Sequence, residues 1–147
     1  MQGAVEGVFF APSVSWYRKH HLLSIGPRIN LTPVVNDEGW RGALLSYKYF
    51  PNLRSNRFNF FFSVHTDYYY EPTKGSYSNN IQQKSNEYIN LTFGYGFQIT
   101  FARRAYFLFD LGIGLGLERS RYYDAPNNSS VDITGMIQGG FGYRIFR

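Results

Sequence analysis

The 147-residue chain has no cysteine, which excludes disulfides and thiolate metal sites. It also has no apolar run approaching the roughly 18 to 20 residues of a membrane helix. Charged or polar residues interrupt every hydrophobic stretch, so a helical membrane protein is excluded. No stretch carries a convincing helical period. Residues 1–12 lack a basic segment followed by an apolar one, so no secretory signal is read and the chain is taken as a mature or expressed form. Charge is scarce: Asp, Glu, Lys and Arg make up 17% of the residues, whereas aromatics reach 20%, with 13 Tyr and 14 Phe. That excess of rings over charge departs from an ordinary soluble surface, and the length is that of one domain.

What the chain does contain is alternation. From Tyr88 to Phe101, Ile89, Leu91, Phe93, Tyr95, Phe97, Ile99 and Phe101 fall on one face. Tyr88, Asn90, Thr92, Gly94, Gly96, Gln98 and Thr100 fall on the other. A period of two predicts a strand whose faces meet different environments, and at roughly 3.3 Å per residue it runs on the order of 45 Å. The polar face is made of Gly, Asn, Thr and Gln where a soluble exterior would show Lys and Glu, and it reads as the lumen of a small barrel.

Six further segments alternate: about Val5 to Tyr17, Leu22 to Val34, Trp40 to Phe50, Phe58 to Tyr70, Ala105 to Glu118 and Val131 to Phe146. The prolines at 27 and 33 weaken the second, since Pro removes a ladder donor. The connections alternate too. Those at 18–21, 51–57 and 102–104 are short, and those at 35–39, 71–87 and 119–130 are longer or rich in Asn, Ser, Gly and Pro. Short turns at one rim and long loops at the other are the asymmetry of a membrane barrel. Net charge is +5, and the short turns carry Arg18, Lys19, Arg54, Arg57, Arg103 and Arg104 with no acid. These are either solvated turn residues or contacts to anionic lipid head groups. Nucleic acid is not expected, because tyrosines and arginines at 119–123 read as a girdle beside a loop.

The last segment places Gln138, Gly140, Tyr143 and Ile145 in the order polar, x, Gly, x, x, aromatic, x, apolar. This resembles the C-terminal signal by which bacterial outer-membrane barrels are recognised by their insertion machinery. GPRINLTP, GALLSYKYFPN, RFNFFF and INLTFGYGFQITF also resemble small outer-membrane β-barrel proteins of Bacteroidetes, across most of the chain. The resemblance implies a bacterial outer membrane, membrane lipid and the insertion machinery as partners, a periplasmic short-turn rim and no established activity. The expected fold is all-β, an antiparallel transmembrane β-barrel of eight strands natively, seven of them in this sequence. The remaining strand precedes residue 1, comes from a partner chain, or is a short strand within 71–87. The first is preferred, because an open barrel exposes unpaired edges to lipid.

Alternation turns a set of charges inward: Arg28, Lys48, His65, Asp67, Asp110, Glu118, Asp132 and Arg144. In an eight-stranded barrel side chains fill the interior, so these read as a paired network that plugs the lumen. A sharper reading takes Ser63, His65 and Asp67 as nucleophile, base and orienting acid of a lipid hydrolase or acyltransferase. Neighbours on one strand face lie about 6 to 7 Å apart, too far for direct hydrogen bonds without another strand. His20 and His21 are read as turn residues and not as a metal site; neither a metal nor a cofactor is expected. Gly112-x-Gly114-x-Gly116 sits inside a strand and reads as close packing, not as a dinucleotide loop. The chain is therefore expected to be non-enzymatic, a structural or interaction subunit that meets a protein partner through its outer wall or loops 71–87 and 119–130. The alternatives are the lipid-modifying enzyme and a soluble lipocalin-like barrel with its greasy face inward.

Overall fold

The computed structural model describes residues 9–30, 41–52, 57–72, 77–78, 81–102, 104–122 and 126–143. Strands account for almost all of them, and no helix occurs among the described residues. In chain order the strands are β1 (Phe9–Phe10), β2 (Val14–Arg18), β3 (His21–Asn30), β4 (Arg41–Tyr49), β5 (Phe58–Pro72), β6 (Tyr77–Ser78), β7 (Ile81–Thr100), β8 (Ala105–Tyr122) and β9 (Asn128–Tyr143). All pairings are antiparallel, in the order β1/β2, β3, β4, β5, β7, β8, β9, with β6 attached only to β7.

β1 and β2 are one crossing of the sheet. Phe10 faces Ile29 and Val14 faces Ile25, so one register runs through both, and Pro12 falls opposite Pro27. Neither proline has an N–H to donate, and the ladder is interrupted there. The sheet thus has seven crossings, each within or overlapping a segment of alternating sequence. β6 adds none, because it folds back on the tip of β7.

Two connections differ from expectation. β7 begins at Ile81, seven residues before Tyr88, and β8 continues to Tyr122. The sequence from Ile81 to Glu87 does not alternate. Neighbouring strands hold it extended: Ile81 and Gln82 face Ser78 and Tyr77 of β6, Ser85 faces Pro72 of β5 and Arg121 of β8, and Asn86 and Glu87 face Ser120 and Arg119 of β8. The described residues of 71–87, and 119–122 and 128–130, are therefore strand where the sequence reads as loop.

The two faces of the sheet are sharply different. Leu23, Ile25, Leu45, Tyr47, Phe60, Phe62, Leu91, Phe93, Ile113 and Leu115 are exposed. Their sequence neighbours Leu22, Ser46, Lys48, Phe61, Ser63 and Thr92 are buried. A flat single layer would leave both faces open. The complete burial of His65 and Gln98, each at 0% exposure, requires the sheet to wrap around its inner face. The wrap is incomplete. No ladder joins the β1/β2 edge to β9 among the described residues, and the inward positions of β8 and β9 near that opening, Gly114, Gly116, Thr134, Met136 and Gln138, are only half-buried. What is observed is one open, curled antiparallel sheet, not a closed barrel.

Candidate functional site: a buried polar interior

The interior is layered along β5, whose inward residues run Asn59, Phe61, Ser63, His65, Asp67, Tyr69 from the short-turn rim to the long-loop rim. At the short-turn end Leu22, Phe50 and Phe61 form a buried apolar cluster with Leu108 packed against it, and the Phe50 and Phe61 rings lie 5.2 Å apart. The adjoining turn is tied to this cluster. The Phe50 amide donates to the His20 carbonyl at 2.8 Å, and His20 Nδ1 lies 2.7 Å from the Phe50 carbonyl. His21 Nδ1 meets the Tyr47 hydroxyl at 2.7 Å. Each histidine therefore ties the β2–β3 hairpin to β4, His20 from a half-buried position and His21 from an exposed one.

Above the apolar cluster Asp110 gathers three strands. Lys48 Nζ donates to Asp110 Oδ2 at 2.9 Å and to Ser46 Oγ at 3.0 Å. His65 Nε2 lies 2.8 Å from Oδ2, and Ser63 Oγ donates to Oδ1 at 2.8 Å. Both oxygens of the carboxylate are thus used and a full cation compensates it, which a charge at 1% exposure requires.

These contacts skip a strand: Ser63 is on β5 and Asp110 on β8, with β7 between them. Glycines make the reach possible. A Cβ at Gly94 would lie 2.9 Å from Ser63 Oγ, and one at Gly96 would lie 2.7 Å from the Phe61 ring. Without side chains at those positions β7 is low enough for β5 residues to lie across it.

The next layer holds the second ion pair. The Arg28 guanidinium donates to Asp67, Asn90 Nδ2 donates to the same carboxylate at 3.2 Å, and Arg28 also lies 4.1 Å from the centre of the Tyr69 ring. Tyr69 stacks on Tyr88 at 4.6 Å and 14°, and the Tyr88 hydroxyl donates to Glu118 at 3.1 Å. Near the long-loop rim Arg121 pairs with Glu87 at 2.8 Å.

Of the eight charged residues assigned to the interior network, five assemble into two groups, Arg28 with Asp67 and Lys48 with His65 and Asp110. Glu118 sits apart with Tyr88. Asp132 is exposed, because β9 borders the open edge and no neighbouring strand covers its inner face. Arg144 lies outside the described residues, as does Ile145 of the C-terminal pattern. Gln138 and Gly140 of that pattern are half-buried, and Tyr143 is 65% exposed.

Ser63, His65 and Asp67 do not combine as a triad. Ser63 and His65 both bond to Asp110, on different oxygens, and Asp67 belongs to Arg28. A serine that donates to a carboxylate is held in place but not deprotonated by histidine, so the arrangement lacks the nucleophile–base bond of acyl transfer. His65 Nδ1 is buried without a hydrogen-bond partner among the described residues. Ser46 and Asn90, both buried, complete the two polar groups; alternation gives such uncharged residues no signal that sets them apart from other polar positions. No group of three or more His, Asp or Glu side chains able to hold a metal ion occurs among the described residues. No family model, no curated protein and no solved structure matches the chain.

Proposed function

We propose that the chain is a small bacterial outer-membrane β-barrel protein with a side-chain-filled lumen, acting as a structural or interaction subunit of a membrane complex and not as an open pore or an enzyme. One observation carries this reading: the burial pattern is inverted. Phe141 at 83%, Ile137 at 75% and Phe93 at 57% exposure stand outside, while His65 at 0%, Asp110 at 1% and Lys48 at 4% are within. Soluble monomers rarely expose apolar patches beyond about 300 to 600 Å². Here the apolar face continues from Val14 and Trp16 on one edge strand, through β3, β4, β5, β7 and β8, to Phe141 and Tyr143 on the other. Hydrocarbon is the environment that such a wall matches. A lipocalin-like cavity would need the opposite orientation of the same strands.

The filled interior supports a non-conducting barrel. Two buried ion-paired groups and an aromatic and aliphatic plug occupy the space that water would need. The outer wall would then contact lipid. Loops 71–87 and 119–130 would offer the surface for a protein partner, and Gln138, Gly140 and Tyr143 would serve recognition by the insertion machinery.

The test is refolding with and without amphiphile. Stable folding only in detergent or phospholipid vesicles, with protease-protected strands, is the expected result. A folded, soluble monomer in plain buffer overturns the membrane reading. Lipid A or phospholipid hydrolysis by the refolded protein that disappears in Ser63→Ala would restore the enzyme reading.

A further inference from the structure

We infer that the rim formed by the short turns binds the phosphate groups of anionic phospholipid, in one leaflet of the membrane. This rests on the reading of the chain as a membrane barrel and names the lipid class that it selects.

The rim is continuous. The turns after β2, β4 and β7 fall at the same end of the sheet, because each strand pairs antiparallel with the next. Backbone hydrogen bonds join them in order. The Phe50 amide donates to the His20 carbonyl at 2.8 Å, tying the first turn to the second, and the Thr100 amide donates to the Arg57 carbonyl at 2.7 Å, tying the second to the third. The Ala102 amide donates to the Ala105 carbonyl at 3.4 Å, and Ala105 faces Tyr143 at the end of β9.

The rim carries one sign of charge. Arg18, Lys19, Arg57 and Arg104 stand on it, all exposed, and none forms an ion pair with a described residue. Arg54 and Arg103, in the same turns of the sequence, lie outside the described residues. Of the ten acids in the chain, none falls in these turns. The nearest in sequence is Asp110, which is buried and already compensated by Lys48. At the opposite rim, by contrast, Arg121 is paired with Glu87 at 2.8 Å. The counter-charge of the short-turn rim therefore has to come from outside the chain, and that of the other rim is partly internal.

Position selects a lipid among the anions that could supply it. Trp16, 62% exposed, precedes Arg18 by two residues on the same face of β2. Phe58 follows Arg57, and Phe101, 62% exposed, lies three residues before Arg104. Each basic group thus adjoins the edge of the apolar wall. An anion held there has hydrocarbon directly beside it, and a phospholipid carries its phosphate and its acyl chains in that order. Guanidinium groups match phosphate oxygens with paired N–H donors, which suits arginine to this contact.

The experiment reads lipid contact with a tryptophan beside each part of the rim. The chain has two tryptophans, so Trp40→Phe leaves Trp16 as reporter for Arg18 and Lys19. Trp16→Phe/Trp40→Phe/Phe101→Trp reports for Arg57 and Arg104. Each protein is refolded in phosphatidylcholine vesicles with a varied fraction of brominated phosphatidylglycerol or, separately, brominated phosphatidylcholine, whose bromine quenches a tryptophan on contact. Phosphatidylglycerol is expected to bind about fivefold more strongly than phosphatidylcholine at both reporters, the effect of about one basic side chain near a head group. The ratio falls to near one in the matching Arg18→Gln/Lys19→Gln or Arg57→Gln/Arg104→Gln variant. It also falls in about 1 M NaCl, where the screening length is about 3 Å. Arg119→Gln, at the opposite rim, leaves it unchanged. Equal binding of the two lipids at either reporter overturns the inference, as does a preference that survives the glutamine variants or is lost in Arg119→Gln. A preference abolished by millimolar inorganic phosphate assigns the rim to a free anion and overturns the lipid. Failure to enter phosphatidylcholine vesicles counts against the membrane reading, whereas insertion without lipid preference counts against the rim alone.

Discussion

Asp110 is the residue on which the interior depends most. It balances Lys48, holds His65 and accepts from Ser63, while being almost completely buried. Removing one member of a buried ion pair leaves an uncompensated charge and typically costs about 3 to 5 kcal/mol. Asp110→Ala is therefore expected to lower the urea midpoint of unfolding in detergent or to prevent refolding. Replacing both charges, in Lys48→Met/Asp110→Leu, is expected to cost much less than Asp110→Ala. A double variant as unstable as the single one would show that packing, and not charge, governs the site. Gly96 makes a different kind of demand. A Cβ there would lie 2.1 Å from the Phe109 carbonyl oxygen as well as against the Phe61 ring. Gly96→Val is expected to destabilise by at least about 1 to 3 kcal/mol, the usual range for overpacking, in the same urea titration.

At the scale of the strand, the β2–β3 hairpin turns through Lys19 and His20, with Lys19 at a φ of 50°. An L-residue in the left-handed region costs roughly 1 to 2 kcal/mol, and glycine escapes most of it. Lys19→Gly is expected to leave the fold intact and to raise the unfolding midpoint, by up to about 1 kcal/mol of stability after the entropy that glycine adds to the unfolded chain. A fall in midpoint would mean that the lysine side chain itself supports the turn.

The strands most legible in the sequence are those whose faces meet unlike surroundings. From Phe58 to Tyr70 and from Ala105 to Glu118, alternation alone identifies the strand and most of its inward residues, Leu108 being one it leaves out. Ile81 to Glu87 was not legible, because nothing in its own pattern asks for extension; the ladders of β5, β6 and β8 impose it. The interior was legible to the same depth. Alternation puts Ser63, His65, Asp67 and Asp110 on one face, but it cannot tell which of them meet. The bonds from β4 and β5 to Asp110 depend on the curl of the sheet and on bare backbone at Gly94 and Gly96. Proximity along β5 therefore suggested Ser63, His65 and Asp67 as one set, whereas the folded chain divides them between two carboxylate groups.

For the molecule as a whole, the plugged interior and the apolar wall predict separate measurements. In a planar bilayer the protein is expected to give no steady conductance, since water and ions find the cross-section filled by Phe50, Phe61 and the Asp110 group. Regular ohmic steps would contradict a filled interior without touching the membrane reading. A charge on the wall tests the other half. Leu91, exposed at the middle of β7, replaced by Arg is expected to destabilise the vesicle-inserted protein by about 2 to 4 kcal/mol, the cost of Arg at the bilayer midplane. An unaltered midpoint would place Leu91 in water.

The two bare positions on β7 also bear on how the chain avoids pairing errors. Sliding β7 by one residue would turn its greasy face inward and is forbidden by that alone. Sliding it by two keeps every apolar residue outside, and alternation has nothing to say against it. Such a slip, however, brings Thr92 or Gln98 beneath Ser63 or Phe61 in place of a glycine, and no side chain fits there. Gly94 and Gly96 act as the notches of a key. They admit one alignment of β7 between β5 and β8 and reject the near-miss that hydrophobic patterning would accept.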